Sequence, residues 1–139
     1  GSHGTQAGLI AGFKAMSYAT TTMGYAVLKS AAVSTTATLQ LVNEILNLVK
    51  SPVTATLDDI VVDDSYLGDG YGIPTPAMHD AVRLMAQAEG LLLDPVYSGK
   101  AFSGLIGDIQ NGKFKESDNI LFVMTGGSPG FHAYPGVFS

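Results

Sequence analysis

The sequence predicts an α/β fold, a parallel sheet with flanking helices, and three observations carry that prediction. Stretches with helical apolar spacing alternate along the chain with short apolar runs, an order that argues right-handed crossovers between parallel strands. The helical stretches carry their own start and stop residues. Two of the apolar runs end abruptly in loop-forming residues, Asp94-Pro95 and Thr125-Gly126-Gly127, as strands do when they hand the chain to a loop. Because the chain opens in a loop and a helix, with no strand ahead of them, the reading is one partial domain spanning residues 1–139, a portion of something larger.

The first element is a helix. Small residues at Gly1 to Gly8 run into a pattern in which Leu9, Ile10, Phe13 and Met16 share a face, with Ser2 or Thr5 as candidate caps. A glycine-rich loop opening a helix presents unpaired N–H groups and the positive end of the helix dipole, so it can hold a phosphate without any basic side chain. Met23 to Ser30 reads as a strand. Thr35 to Lys50 then places Leu39, Val42, Ile45, Leu46 and Val49 at helical spacing, with Thr35 or Thr36 as cap and Pro52 as the stop.

Leu57 to Val62 is a short strand-like run flanked by Asp58, Asp59, Asp63 and Asp64. Ile60, Val61 and Val62 separate the two acid pairs, and no histidine recurs at ligand spacing, so solvated strand ends fit them better than a metal site. Tyr66 to Pro76 holds three glycines and two prolines and can continue neither regular structure; it is a defined loop that presents Tyr71 between Gly70 and Gly72. Thr75 caps a helix from about Ala77 to Glu89, lined by Met78, Val82 and Met85 and ended by Gly90.

Leu91 to Gly104 is the stretch around which the site is expected. A strand, a loop and a helix start follow one another there. In open α/β sheets ligands bind in the crevice at the carboxyl ends of the strands, and this places Tyr97, Ser98 and Lys100 where chemistry belongs. A helix over Ala101 to Gln110, a turn at Asn111-Gly112 and a strand over Asn119 to Met124 follow. The aromatic tail from Ser128 is expected to cover the sheet.

Composition excludes several functions. The chain is 46% hydrophobic and 14% charged, a globular composition, and its net charge of −5 offers no basic stripe to nucleic acid or to an anionic membrane. His79 and His132 have no partner at a metal-binding interval, and no metal site is expected. Without a cysteine there is no disulfide framework, and without a long apolar segment no spanning helix, so the expectation is a cytoplasmic protein. A nucleotide-binding module lacks both GxGxxG and a P-loop lysine.

Four segments, GSHGTQAGL, DDSYLGDGYGIP, EGLLLDPVYSGKAFSGLI and FVMTGGSPGFHAY, resemble in order and spacing the D-cysteine desulfhydrase and 1-aminocyclopropane-1-carboxylate deaminase family. The resemblance covers nearly all of this chain but only the later part of such an enzyme. It implies the later part of the large domain of a fold-type II pyridoxal-phosphate enzyme, acting as a lyase or deaminase on a D-amino acid or a related small amino acid. By resemblance, Ser2, His3, Gly4, Thr5 and Gln6 bind the cofactor phosphate, Tyr71 and Tyr97 line the substrate pocket as catalytic residues, and Thr125 supplies a hydroxyl near the pyridine nitrogen.

Ser98 stands where the deaminases have a glutamate facing that nitrogen. A hydroxyl makes a weaker electron sink than a protonated pyridinium, which favours elimination of a thiolate over opening of a cyclopropane. His3 and Met124 depart from the family pattern, which has glycine and histidine at those places. The family's Schiff-base lysine belongs to the earlier half. Lys100 is the substitute to weigh, against a role as a surface or helix-packing lysine. The chain alone is therefore expected to be inactive and to pair with the missing N-terminal half or with a second copy; the alternative is a non-catalytic half-domain that binds phosphate or another chain.

Overall fold

The computed structural model describes residues 1–135 of the chain. Their contacts gather into two compact units, one over Gly1–Asp64 and one from Ser65 onward.

The first unit contains α1 (Gly4–Ala15), β1 (Met23–Tyr25), α2 (Ala31–Leu48), a 3-10 turn (Leu57–Asp59) and β2 (Val61–Asp63). β1 and β2 pair in parallel, with Met23 opposite Val61 and Tyr25 opposite Asp63, and Ala26 N–H continues the ladder to Asp63 O at 2.7 Å. The core joins Ala7, Ile10 and Ala11 of α1 to Val42 and Leu46 of α2, with Ala55 and Ile60 closing it. Those spacings are the three-and-four repeat that stacks side chains on one helix face.

α2 starts earlier than its sequence pattern suggests, at Ala31 rather than after Thr35 or Thr36. Ser30 is the N-cap, and Asp64 Oδ2 accepts the first free N–H, from Ala31, at 2.7 Å. Thr36 is inside the helix and donates its hydroxyl back to Ala32 O, a bond that satisfies it without a cap role. Asp59 of this region also has structural partners: it accepts from Thr56 N–H at 2.7 Å and pairs with Lys14 Nζ at 2.7 Å.

The second unit is built on α3 (Pro76–Glu89) and α4 (Ser98–Gln110), followed by a 3-10 segment (Ser128–Ala133). Thr75 Oγ1 accepts from Met78 N–H, Pro76 occupies the first turn, and Gly90 ends α3 with φ 67°. Met78, Val82 and Leu93 form the buried centre, with Phe102, Phe122, Phe131 and Tyr134 packed around it. Gly99 brings the two helices together: a Cβ there would lie 2.8 Å from Val82 Cγ2 and 3.0 Å from Met78 Cγ.

Two expected strands are absent from this unit. Leu91 to Leu93 and Asn119 to Met124 are unpaired among the described residues, and Leu121 stands 86% exposed. A strand needs a neighbour to take its N–H and C=O groups, and neither run meets one, so apolar character alone does not make a ladder. The tail likewise packs Phe131 and Tyr134 on the helical core rather than on a sheet, and its residues 136–139 lie outside those described. α4 begins at Ser98, ahead of the expected Ala101.

Candidate functional site

The second unit brings Tyr71 and Tyr97 together. Tyr71 sits in the glycine-rich loop, followed by Gly72 at φ 72°, a left-handed conformation that costs glycine little. Tyr97 is the residue that precedes α4. Their hydroxyls are hydrogen-bonded to each other, and the rings meet edge to face with centroids 5.9 Å apart. Both rings are substantially open, 49% and 41% exposed. The bond to Tyr97 pushes the Tyr71 phenol above the usual tyrosine range, and the negative charge of Asp94 acts in the same direction.

Asp94 fixes the start of α4. Its buried carboxylate accepts four hydrogen bonds: Oδ2 from the N–H of Val96 at 2.9 Å and of Tyr97 at 2.7 Å, Oδ1 from Ser98 N–H at 2.8 Å and Ser98 Oγ at 2.6 Å. Asp94 O also accepts from Gly99 N–H at 2.8 Å. This one acid satisfies the donors that a helix start leaves open. Ser98 is thereby committed: its single proton goes to Asp94 Oδ1, while its oxygen accepts from Asp94 N–H at 2.9 Å.

The Thr125 turn reaches the same carboxylate through its backbone. A Cβ on Gly127 would lie 2.6 Å from Asp94 Oδ1, so only glycine permits that approach, and Gly127 also has φ 97°. Thr125 itself is exposed.

Lys100 gains a role its sequence position does not announce. It is 1% exposed, the largest fully buried side chain among the described residues, and its ammonium donates to Leu67 O at 2.7 Å and Gly70 O at 2.8 Å. Burial pushes its pKa down, while Asp69 opposes the shift. The sequence did hold a signal: Lys100 follows Tyr97 by three residues, about one helical turn.

The Ser2 to Gln6 candidates lie in the first unit. His3 precedes α1 in a left-handed conformation, φ 63°, and no side chain caps the helix. The first main-chain bond of the helix runs from Ala7 N–H to His3 O at 2.9 Å, which leaves the N–H groups of Gly4, Thr5 and Gln6 without helical acceptors. No acid occupies the first turn, and His3 Nε2 is buried without a partner. Burial pushes the His3 imidazole below its ordinary pKa, with the positive charge of Lys29 acting the same way. A dianion suits this setting: it would take up the open N–H groups and the orphan imidazole nitrogen, in a positive field. Gln6 points elsewhere, its amide donating to Val61 O at 2.8 Å and lying over Gly24.

Comparison with known proteins identifies the family. Residues 1–126 match a family described as pyridoxal-phosphate dependent enzymes. The D-cysteine desulfhydrase of Klebsiella pneumoniae strain 342 is 41% identical over 134 residues, which cover 96% of this chain and 40% of that enzyme. The D-cysteine desulfhydrase of Salmonella paratyphi C is 40% identical over the same shares. A crystal structure of an ACC deaminase homologue superposes with a TM-score of 0.83 at 33% identity, covering 99% of this chain and 41% of the other. The chain thus spans about two-fifths of the length of the relatives it matches.

Proposed function

Because the chain belongs to the family of pyridoxal-phosphate dependent enzymes, we propose that it forms the later portion of a lyase that eliminates a sulfur leaving group from a D-amino acid such as D-cysteine. The products are pyruvate, ammonia and hydrogen sulfide, with one water consumed. The observation that carries this reading is the hydroxyl pair of Tyr71 and Tyr97, held in place by a loop on one side and a carboxylate-capped helix start on the other.

When bound, pyridoxal phosphate supplies the sink for electrons released at the substrate's α-carbon. The chain's own residues do the rest of what is assigned here. The open N–H groups at Gly4, Thr5 and Gln6, with the Ser2 and Thr5 hydroxyls and His3, hold the phosphate. Thr125 supplies the hydroxyl for the ring nitrogen, since the proton of Ser98 is engaged by Asp94. Tyr71, its pKa raised, keeps its proton at neutral pH and serves as a hydrogen-bond donor to the departing sulfur rather than as a base. A hydroxyl rather than a carboxylate at position 98 favours thiolate elimination over cyclopropane opening. The work belongs in the cytoplasm, where a thiol substrate stays reduced.

The lysine that binds the cofactor covalently and moves the substrate proton is assigned to a part of the enzyme outside these residues, or to a partner chain. Lys100 does not take that role, being buried against two carbonyls. The test mixes the purified chain with pyridoxal phosphate, reduces with borohydride, maps the peptides and assays pyruvate from D-cysteine in parallel. The expected result is scattered sub-stoichiometric labelling and no pyruvate; pyruvate appears once the remaining part of the enzyme is supplied. Stoichiometric labelling of Lys100 with pyruvate release from the chain alone would overturn the assignment. A non-catalytic half-domain is the second reading, favoured by the uncapped start of α1, and it predicts phosphate binding with no pyruvate under either condition.

A further inference from the structure

Lys100 is a buried cation that the chemistry above does not use. A lysine removed from water is costly, and it persists where hydrogen bonds compensate. Both compensating acceptors belong to one short loop: Leu67 O and Gly70 O, three residues apart, are tied to a single ammonium at 2.7 and 2.8 Å. The loop itself is rich in glycine. Gly68, Gly70 and Gly72 all have positive φ, and Ile73 N–H to Gly70 O, at 3.3 Å, is a long internal bond. A chain with this much glycine has many conformations to lose, and a two-point anchor selects one of them.

The anchor is well placed. Gly70 O, one of its two ligands, belongs to the peptide unit that leads into Tyr71. Lys100 itself lies in the first turn of α4, three residues after Tyr97, and the buried Asp94 holds that turn. One rigid helix start therefore carries Tyr97 directly and reaches Tyr71 through the ammonium. We propose that Lys100 is a positioning residue, whose ammonium pins the Leu67 to Gly70 carbonyls and so sets the Tyr71 hydroxyl against that of Tyr97. Its consequence for turnover rests on the lyase reading given above; the juxtaposition of the two phenols does not.

The experiment follows the phenols rather than turnover. The chain is labelled with tyrosine carrying carbon-13 at Cζ, and the Tyr71 and Tyr97 signals are titrated in the original sequence, in Lys100→Met and in Lys100→Arg, with Tyr18 of the first unit as the internal control. In the original sequence Tyr71 titrates above the usual tyrosine range, held there by its hydrogen bond with Tyr97. Lys100→Met removes the donors but keeps the length of the side chain, and should return Tyr71 to the usual tyrosine range with the helical circular dichroism preserved. Lys100→Arg keeps a charged donor and should restore part of the shift, a rescue that lost packing alone would not give. A Lys100→Met chain that remains helical with Tyr71 still shifted would overturn the proposal.

If Lys100→Met unfolds the unit, Tyr97→Phe decides. It leaves the ammonium in place, so the amides of Gly68 and Gly70 should stay as ordered in NMR relaxation as before. Loss of order there would mean that the phenol pair holds the loop, and would overturn the proposal. A D-cysteine assay of the completed enzyme is read separately: a Tyr71 titration that responds to Lys100→Met as expected, with no pyruvate from the original sequence, would sink the lyase reading while leaving the anchor intact.

Discussion

Two helix starts of this molecule, those of α1 and α4, are built in opposite ways. α4 begins on a buried aspartate that accepts three N–H groups and a hydroxyl, so nothing is left for a ligand. α1 begins on His3 in a left-handed conformation, with no side-chain cap, no acid in its first turn and a buried imidazole nitrogen without a partner. Both carry the same partial positive charge, and the fold answers it internally at one and leaves it open at the other. A satisfied helix start anchors the groups beside it, here Tyr97; an open one is suited to receive an anion.

The largest way to break the contrast is to empty the filled site. Asp94→Ala strands four donors at once, three of them buried, and is expected to destabilise the second unit by about 3 kcal/mol, read as a fall in the urea midpoint followed through α4 amide signals. The Tyr71 and Tyr97 signals should broaden or separate, while phosphate binding in the first unit stays as it was. A midpoint that does not move would show that water satisfies these groups as well as the carboxylate does.

The next largest is to fill the open site. Thr5→Asp puts a carboxylate in the first turn of α1, and should weaken binding of inorganic phosphate or pyridoxal phosphate about tenfold, roughly 1.4 kcal/mol. The same change should slightly stabilise the chain without ligand, by about 0.5 kcal/mol, because the new acid answers the dipole that the anion would have answered. In the original sequence, phosphate should raise the His3 pKa from its depressed value, visible in the imidazole proton titration. An unmoved His3 on phosphate addition would mark the helix start as no more than a solvated end.

Much of this contrast was legible along the chain. Thr75, Pro76 and Gly90 bracket α3 as their local chemistry requires, and the glycines around Tyr71 announce a loop able to carry a phenol into a site. The glycine-rich start of α1 was legible as a helix opening, but Ser2 and Thr5 were expected to cap it and neither side chain does. What did not follow was non-local. Apolar runs at 91–93 and 119–124 look like strands, but a ladder depends on a neighbour that no local pattern contains. Ser98 reads as a group facing a ligand until the turn folds back and Asp94 takes its proton. Lys100 reads as a candidate Schiff-base lysine or a surface or helix-packing one, and its anchoring role is hidden because its two acceptors are main-chain carbonyls some thirty residues away, which leave no signature in a sequence.

The smallest expected effect separates the two units by pH. In the first, the hydrogen bond from Lys14, and then that from Thr56 N–H, hold the Asp59 carboxyl below its ordinary range. A depressed carboxyl contributes stability that is present above its unfolded pKa of about 3.9 and lost as pH falls through the folded value. Lys14→Met should therefore flatten the acid limb of the first unit, at a cost near neutral pH of no more than about 0.5 kcal/mol for so open a pair. In the second unit the limb is alkaline and has two opposed parts. Tyr71, raised by Tyr97, contributes stability that is present below about pH 10 and lost as pH rises through its folded value. Lys100, lowered by burial, acts in the other direction: between its folded pKa and about 10.4 the unfolded chain binds more protons, so stability rises with pH there. Tyr71→Phe removes the first part alone. Urea midpoints measured from pH 8 to 11 on both chains should differ by a constant up to about pH 10 and diverge above it, the original sequence losing ground relative to Tyr71→Phe. Parallel curves across the whole range would mean that the phenol pair carries no linkage, and that the hydroxyls meet without either one holding the other's proton.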